Sequence, residues 1–435
     1  MKGLFTLLIA LLCPVLTWAS ENEDWNLKFQ STYIWQGKPP LRSPYDGPHS
    51  LNGSREKSYS FTGTAAVGLR LGTSTELYVD PEVAQGVPLS GLQGLAGFTN
   101  GEMARSSGPN PTLYRARFYF RHVIGLSEET VAVESAMNQL ASTYAKRRWV
   151  LTVGNLAIPD IFDANAYAHD PRTQFMNWAL MSHAAYDYAA DSRGYSWGLA
   201  AEYLADDWTI RAGRFIQPKE PNQLALDTRI GVHYGDQVEL EKRYDLGQGR
   251  PGAVRLLAFR NRAVMSRYDD ALALTSATGG APDIDQVRRG PHIKYGLGVN
   301  FDQRLTTDLG VFGRAMWADG KTETYAFTQA DRSASFGASL TGNRWARAKD
   351  VIGIAFAQNW LSRPDRDVLA RGGQTFFLGD GALRYRPEKV FEAYYLVALK
   401  EGIAISFDVQ RITNPGYNAD RGPAVFYGVR AHLEN

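Results

Sequence analysis

Three arginines at 115, 117 and 121 stand among tyrosines and phenylalanines in the run PTLYRARFYFRHV (111–123). A guanidinium offers a rigid fork of donors suited to carboxylates, phosphates and hydroxyls. On a helix this spacing scatters the side chains, whereas on a strand it collects them on one side. Arg115, Arg117, Tyr119 and Arg121 are then expected on one face, with Tyr114, Ala116, Phe118 and Phe120 on the other.

Other residues could carry different chemistry. GYSWG (194–198) has the G-x-S-x-G spacing of a hydrolase nucleophile, but that motif needs a sharp strand-to-helix turn. Ser196 sits instead inside an alternating run that continues to Tyr203. DIFDAN (160–165) could offer Asp160, Asp163 and Asn165 to Ca²⁺, but the spacing does not match an EF-hand loop. Hydrogen bonding within the fold suits those residues better. His183, His233 and His292 are isolated, which is no zinc pattern. No catalytic residue, metal site or cofactor is expected.

The elements that must position the arginines repeat along the chain. Tyr59, Phe61, Ala65, Val67 and Leu69 oppose Ser60, Thr62, Thr64, Gly68 and Arg70; Ile293, Tyr295, Leu297, Val299 and Phe301 oppose Lys294, Gly296, Gly298 and Asn300. Ile403, Ile405, Phe407 and Val409 oppose Ser406, Asp408 and Gln410. These period-2 runs predict strands through most of the chain. Short turns are expected at 205–207, 235–236, 302–304 and 401–402, and long polar segments at 36–57, 263–290, 318–331 and 361–375. Segments 75–80 and 376–385 are ambiguous as strands. Arg255 and Arg260 fall on opposite phases, which predicts a bulge or a misplaced end in 252–262.

The chain has 435 residues, is 12% aromatic and carries a formal charge of +2, which gives no reason to expect a nucleic-acid partner. Its mean hydropathy is −0.30. The N-terminus, MKGLFTLLIALLCPVLTWAS, has a basic start, a short apolar core and a small-residue exit, as a secretory leader does; residues 1–20 are read as that leader. Cys13, the only cysteine, falls inside it, so the mature chain (21–435) is expected to have neither disulfide nor thiol chemistry.

A secreted chain of many alternating strands, with short turns at one end and long loops at the other, predicts an all-β, up-and-down antiparallel barrel in an outer membrane. About sixteen strands, sixteen to eighteen, are expected. Trp25, Trp35, Trp197, Trp208 and Trp317 lie near strand ends, as an interfacial girdle requires. A soluble sandwich is the alternative, and its core would not tolerate the charge on the second face. Two segments, 87–111 and 163–193, break the alternation and are too long and apolar for exposed loops. They are expected to fold inward as constriction or plug segments, with capping of the mouth as the alternative.

With the apolar phase toward lipid, the lumen is expected to receive Glu76, Asp80, Arg115, Arg117, Arg121, Arg211, Asp227, Arg229, Glu239, Glu241, Arg243, Lys294, Asp308, Arg314, Glu392, Asp408 and Arg430. Both signs are present, unlike a ring built for one ion. Neutral polyhydroxylated solutes suit such a wall, with Tyr119, Phe175 and Trp178 as faces for a sugar's C–H surface. For any one of these residues, a plain solvated charge is the competing reading.

The chain resembles the carbohydrate-selective outer-membrane porins of the OprB type. The strings that carry the resemblance are IFDANAYAHDPRTQFMNWAL (161–180), AYDYAADSRGYSWG (185–198), DWTIRAGRF (207–215) and QRITNPGYNADRGPAVFYGVRAHLE (410–434). The resemblance implies a barrel with inward-folded loops that passes glucose and related sugars passively. It places Asp163, Asn165, Asp170, Arg172, Asn177, Asp187, Asp191 and Arg193 at the solute path, beside Arg115 and Arg117, which come mainly from strand phase. Sugars, outer-membrane lipid or lipopolysaccharide and the barrel assembly machinery are the implied partners; the sequence leaves homo-oligomerisation open. Asn435 departs from the family's usual terminal aromatic residue. A general porin and, from another class, an outer-membrane hydrolase are the competing functions.

Overall fold

The computed structural model describes residues 22–104 and 108–435. The expected leader, 1–20, lies outside the described residues. The strands are β1 (Trp25–Lys38), β2 (Glu56–Arg70), β3 (Thr75–Val87), β4 (Thr112–Gly125), β5 (Thr130–Val133), β6 (Ser142–Ala145), β7 (Arg148–Leu156), β8 (Ser196–Leu204) and β9 (Trp208–Ile216). They continue as β10 (Tyr234–Asp245), β11 (Pro251–Val264), β12 (Pro291–Arg304), β13 (Leu309–Ala318), β14 (Arg332–Gly342), β15 (Arg347–Trp360), β16 (Glu388–Lys400), β17 (Ile403–Thr413) and β18 (Ala424–Glu434). All but β5 and β6 close into one antiparallel barrel of sixteen strands, in which β1 pairs with both β2 and β18. Closure leaves no sheet edge in the hydrocarbon, where unpaired backbone groups would be costly.

Alternation decides what each face meets. Leu297 is 60% exposed and Phe407 54%, whereas Lys294 and Asp408 are buried on the inner face. Outward side chains are apolar through the middle of the strands and include Trp25, Trp35, Trp197, Trp208 and Trp317. At the C-terminus, Asn435 continues the ladder: its N–H donates to the Phe29 carbonyl, and its Oδ1 accepts from the Phe29 N–H at 2.7 Å.

Several local expectations change. Residues 75–87 form a full strand, whereas 376–385 form none. Gly235-Asp236 lies inside β10 and 302–304 ends β12, so neither is a turn. β11 runs in continuous register with both neighbours; Arg255 points in and Arg260 points out, with no bulge between them. Asp227 and Arg229 belong to the loop between β9 and β10, and Asp308 to a turn, rather than to the strand wall.

The bulge falls instead in the arginine run. Asp80 pairs with Arg117 and Pro81 with Arg115, so Ala116 has no opposite number. A proline cannot donate to the ladder and is found in strands at such irregularities. The extra residue inverts the phase: Tyr114 turns inward and Arg115 outward, where its guanidinium lies 5.0 Å from the Trp197 ring and 5.8 Å from that of Phe118.

At the short-turn end, 126–147 forms a β5–β6 hairpin that tucks beneath the barrel. The Leu140 N–H donates to the Tyr78 hydroxyl, Asn26 donates to the Gln139 carbonyl, and Asn138 donates to Asp80. The sequence reading did not anticipate this hairpin.

Candidate functional site

The site is built from the wall and from the described residues of the two non-alternating segments (105–107 lie outside them), which lie against inward-facing side chains. In the first segment, Thr99 donates to Gln36 on β1, Asn100 to Ser60 on β2, and the Ala96 N–H to Glu388 on β16. The second segment touches much of the opposite wall. Asp163 accepts from Arg314 Nε at 2.9 Å and from Asn300 Nδ2 at 2.6 Å. Asn165 donates to Asn300 Oδ1 at 2.7 Å. Glu392 accepts the N–H groups of Met176 and Asn177, and the Asn177 side chain donates to Gln410. Asp187 accepts from Lys294 Nζ at 3.1 Å and from the N–H groups of Tyr325 and Ala326. Arg430 donates to the carbonyls of Pro171 and Gln174.

Backbone shape cooperates with these bonds. A Cβ on Gly310 of β13 would collide with the Tyr167 ring, so glycine lets the segment lie directly on the wall.

Four expected solute residues, Asp163, Asn165, Asn177 and Asp187, are therefore buried and engaged by the protein. Burial without these partners would be costly, so their hydrogen bonds tie the segment to the barrel. The same holds for three expected sugar-facing aromatics. Phase puts Tyr119 inward, but it stacks on Tyr78 at 5.2 Å; Phe175 meets Phe312 and Tyr394, and Trp178 stacks on Phe327 at 4.6 Å. Arg115 leaves the lumen altogether because of the bulge.

A second group keeps contact with water. Arg117 grips Asp160 through two bonds of 2.7 Å, reaches Asp80 at 3.3 Å and lies 5.5 Å from the Tyr195 ring. Arg172 pairs with Glu102 at 3.1 Å and with Asp170 at 3.9 Å. Arg193 lies 4.4 Å from the Tyr114 ring, and the Tyr114 hydroxyl donates to Glu82. Asp191 accepts the N–H groups of Arg193 and Tyr195, a turn that leads the chain into β8. Of the expected residues, Arg117, Asp170, Arg172, Asp191 and Arg193 are thus partly accessible. Asp160, Glu102 and Tyr114 join them, backed by the buried Glu82 and Tyr195; of these, only Asp160 is named from the sequence, as a hydrogen-bonding residue. Pro81 is the signal that could have exposed Tyr114, because proline opposite the arginine run marks a break in phase.

Deeper along the wall the charges again alternate in sign. Arg211 bonds Glu202, Glu239 and Glu241, while Arg255 bonds Glu241 and Asp302. Such a wall presents donors and acceptors together rather than a ring selective for one ion.

The competing chemistries find no support in the geometry. The Ser196 hydroxyl donates to the Ile216 carbonyl at 2.6 Å from within a strand. Asp160, Asp163 and Asn165 diverge to Arg117, Arg314 and Asn300.

Comparisons with known proteins agree with this architecture. No curated protein matches the chain. A solved structure described as the high pH structure of Pseudomonas putida OprB is similar, with a TM-score of 0.72 at 16% identity, covering 95% of this chain and 94% of that one. The low pH structure of Pseudomonas putida OprB has a TM-score of 0.50 at 12% identity, covering 95% and 93%. A model of the carbohydrate-selective porin, OprB family, matches residues 67–434. The chain, an outer-membrane β-barrel channel, belongs to the OprB family of carbohydrate-selective porins.

Proposed function

We propose that the channel passes neutral sugars, glucose and related mono- and oligosaccharides, by passive diffusion, and that the segments 87–111 and 163–193 narrow its path. The observation that carries this reading is the row of water-accessible, opposite-signed pairs formed by Arg117 with Asp160 and Arg172 with Asp170, the second held from behind by the nearly buried Glu102. Vicinal hydroxyls both donate and accept. A wall that offers a guanidinium beside a carboxylate can replace the water they lose without attracting either sign of ion strongly. Contacts of this kind are weak and multiple, which suits passage, since a tight site would retain its cargo.

Within this reading, Arg117, Asp170, Arg172, Asp191 and Arg193 act at the solute path, while Asp163, Asn165, Asn177 and Asp187 act through the shape of the segment. Swelling of liposomes containing the protein tests it across a panel of sugars and size-matched charged solutes. Faster entry of glucose and maltose than of size-matched sulfonates or amines is expected. Entry ranked by size alone would make the protein a general porin.

A further inference from the structure

Porin strands ordinarily turn apolar side chains to lipid, and an arginine there is costly unless it lies near the interface or finds an anion. On the outer face of β9–β11, three arginines share one small area. Arg214, Asp236 and Arg260 lie side by side in register, and Tyr234 and Arg262 form the next row toward the long loops. Asp236 is occupied by Arg214, through bonds of 2.7 Å and 2.8 Å. The Tyr234 ring carries the Arg214 guanidinium at 4.0 Å and that of Arg260 at 5.9 Å. Arg260 is exposed, and among the described residues neither it nor Arg262 has a carboxylate partner within ion-pair distance; Arg262 donates to the Val232 carbonyl.

Depth and surroundings point to what balances this charge. Arg260 is four residues from the Val264 end of β11. At about 3.4 Å per residue and a tilt near 45°, that puts it roughly 10 Å below the long-loop rim, where headgroups meet acyl chains. The same rim carries outward Lys389 and Arg411 on β16 and β17, and Arg115 over Trp197, again without carboxylate partners among the described residues. Asp236 is the one outward carboxylate among the described strand residues of this rim. A belt of unpaired guanidinium groups with a tyrosine face complements phosphate, which accepts from their forks.

We propose that Arg260, Arg262 and the Arg214–Tyr234 pair form a binding site for a lipid headgroup whose phosphate carries net negative charge, with no cation of its own to offset it, in the leaflet that meets the long loops. Energy transfer from the protein's tryptophans to dansyl-labelled lipid tests it, with the full barrel in phosphatidylcholine vesicles. Phosphatidic acid should be preferred over phosphatidylcholine by roughly twenty-five-fold, since each of the two unpaired arginines near an anionic surface shifts partitioning by about fivefold. Arg260→Leu with Arg262→Leu should remove most of that preference, whereas Arg260→Lys with Arg262→Lys should retain most of it; heat-modifiable mobility checks that each variant is a folded barrel. No preference in the wild type, or an unchanged preference in the folded leucine variant, would overturn the site. Displacement of the labelled lipid by inorganic phosphate at equal ionic strength would show a site for free phosphate instead. Loss of a multimer in the leucine variant, read by sedimentation, would show a contact between copies of the chain; either outcome would overturn the lipid assignment.

Discussion

Arg314 on β13 and Asp163 in the segment after β7 meet at 2.9 Å inside the barrel, and each side chain is only 1% exposed. The wall thus holds the inserted segment by a buried ion pair that Asn300 and the His183 N–H complete. Removing one partner strands the other. Asp163→Leu is expected to destabilise the barrel by about 3–5 kcal/mol and to loosen 163–193, seen as a lower temperature of the heat-modifiable shift with larger, noisier single-channel currents. Unchanged currents would show that the pair does not hold the segment.

The bulge opposite Pro81 gives two arginines, two positions apart in sequence, opposite roles. Arg117→Ala should change the relative entry of sugars in liposome swelling, because it removes the fork facing Asp160. Arg115→Ala should leave those rates as they are, because that side chain lies over Trp197 on the outer face. Equal effects from both would contradict the assigned phase.

Gly310 is where the inserted segment comes down on the wall. Gly310→Leu must push Tyr167 away, and overpacking of this kind typically costs about 1–3 kcal/mol. The expected readout is an altered conductance with the barrel still folded. A wild-type conductance would place Tyr167 elsewhere in the open channel.

One pH response follows from the long-loop end. Asp365, on the short helix Arg363–Ala370, is fully buried, and burial together with the neighbouring Asp331 raises its pKa to about 8. The Asp331 carboxyl is itself raised, chiefly by burial. An unfolded aspartate titrates near 3.9. The folded form therefore binds the proton more tightly, and its contribution is complete at acid pH and lost as pH rises from about 4 through about 8. Thermal stability should fall over that window, and Asp365→Asn should flatten the fall and exceed the wild type at pH 8. A wild-type stability that rises over the same window would contradict a buried carboxyl that Gln329 hydrogen-bonds but no cation among the described residues pairs.

Much of the barrel was legible in the amino-acid order, because lipid on one side and water on the other impose a period of two with charge on the second face, which the packed core of a soluble sandwich would not tolerate. The runs ending in Phe301 and Val409 show it most plainly. What escaped were the places where that rule is locally broken. A single unpaired residue, Ala116, reverses the phase of everything before it, so the first arginine of the run was assigned to the wrong face. Arg260 looked like a fault in β11 because a lipid-facing cation was not expected, yet the strand is regular. Gly235-Asp236 has the composition of a turn, yet both residues lie in the β10 ladder, with Asp236 outward beside Arg214. Within the inserted segment, a family-matched string does not separate a carboxylate left accessible to water from one that anchors the segment to the wall. Asp163 and Asp170 are seven residues apart, and only partners in three dimensions distinguish them.

Because Cys13 is the only cysteine and lies in the expected leader, introduced thiols can report on the water path without background. The most direct measurement is the single-channel current of Arg172→Cys and Arg115→Cys before and after a bulky charged methanethiosulfonate is added. For Arg172→Cys, modification should reduce both the current and its block by glucose, while Arg115→Cys should be indifferent. An indifferent Arg172→Cys together with a responsive Arg115→Cys would contradict the path.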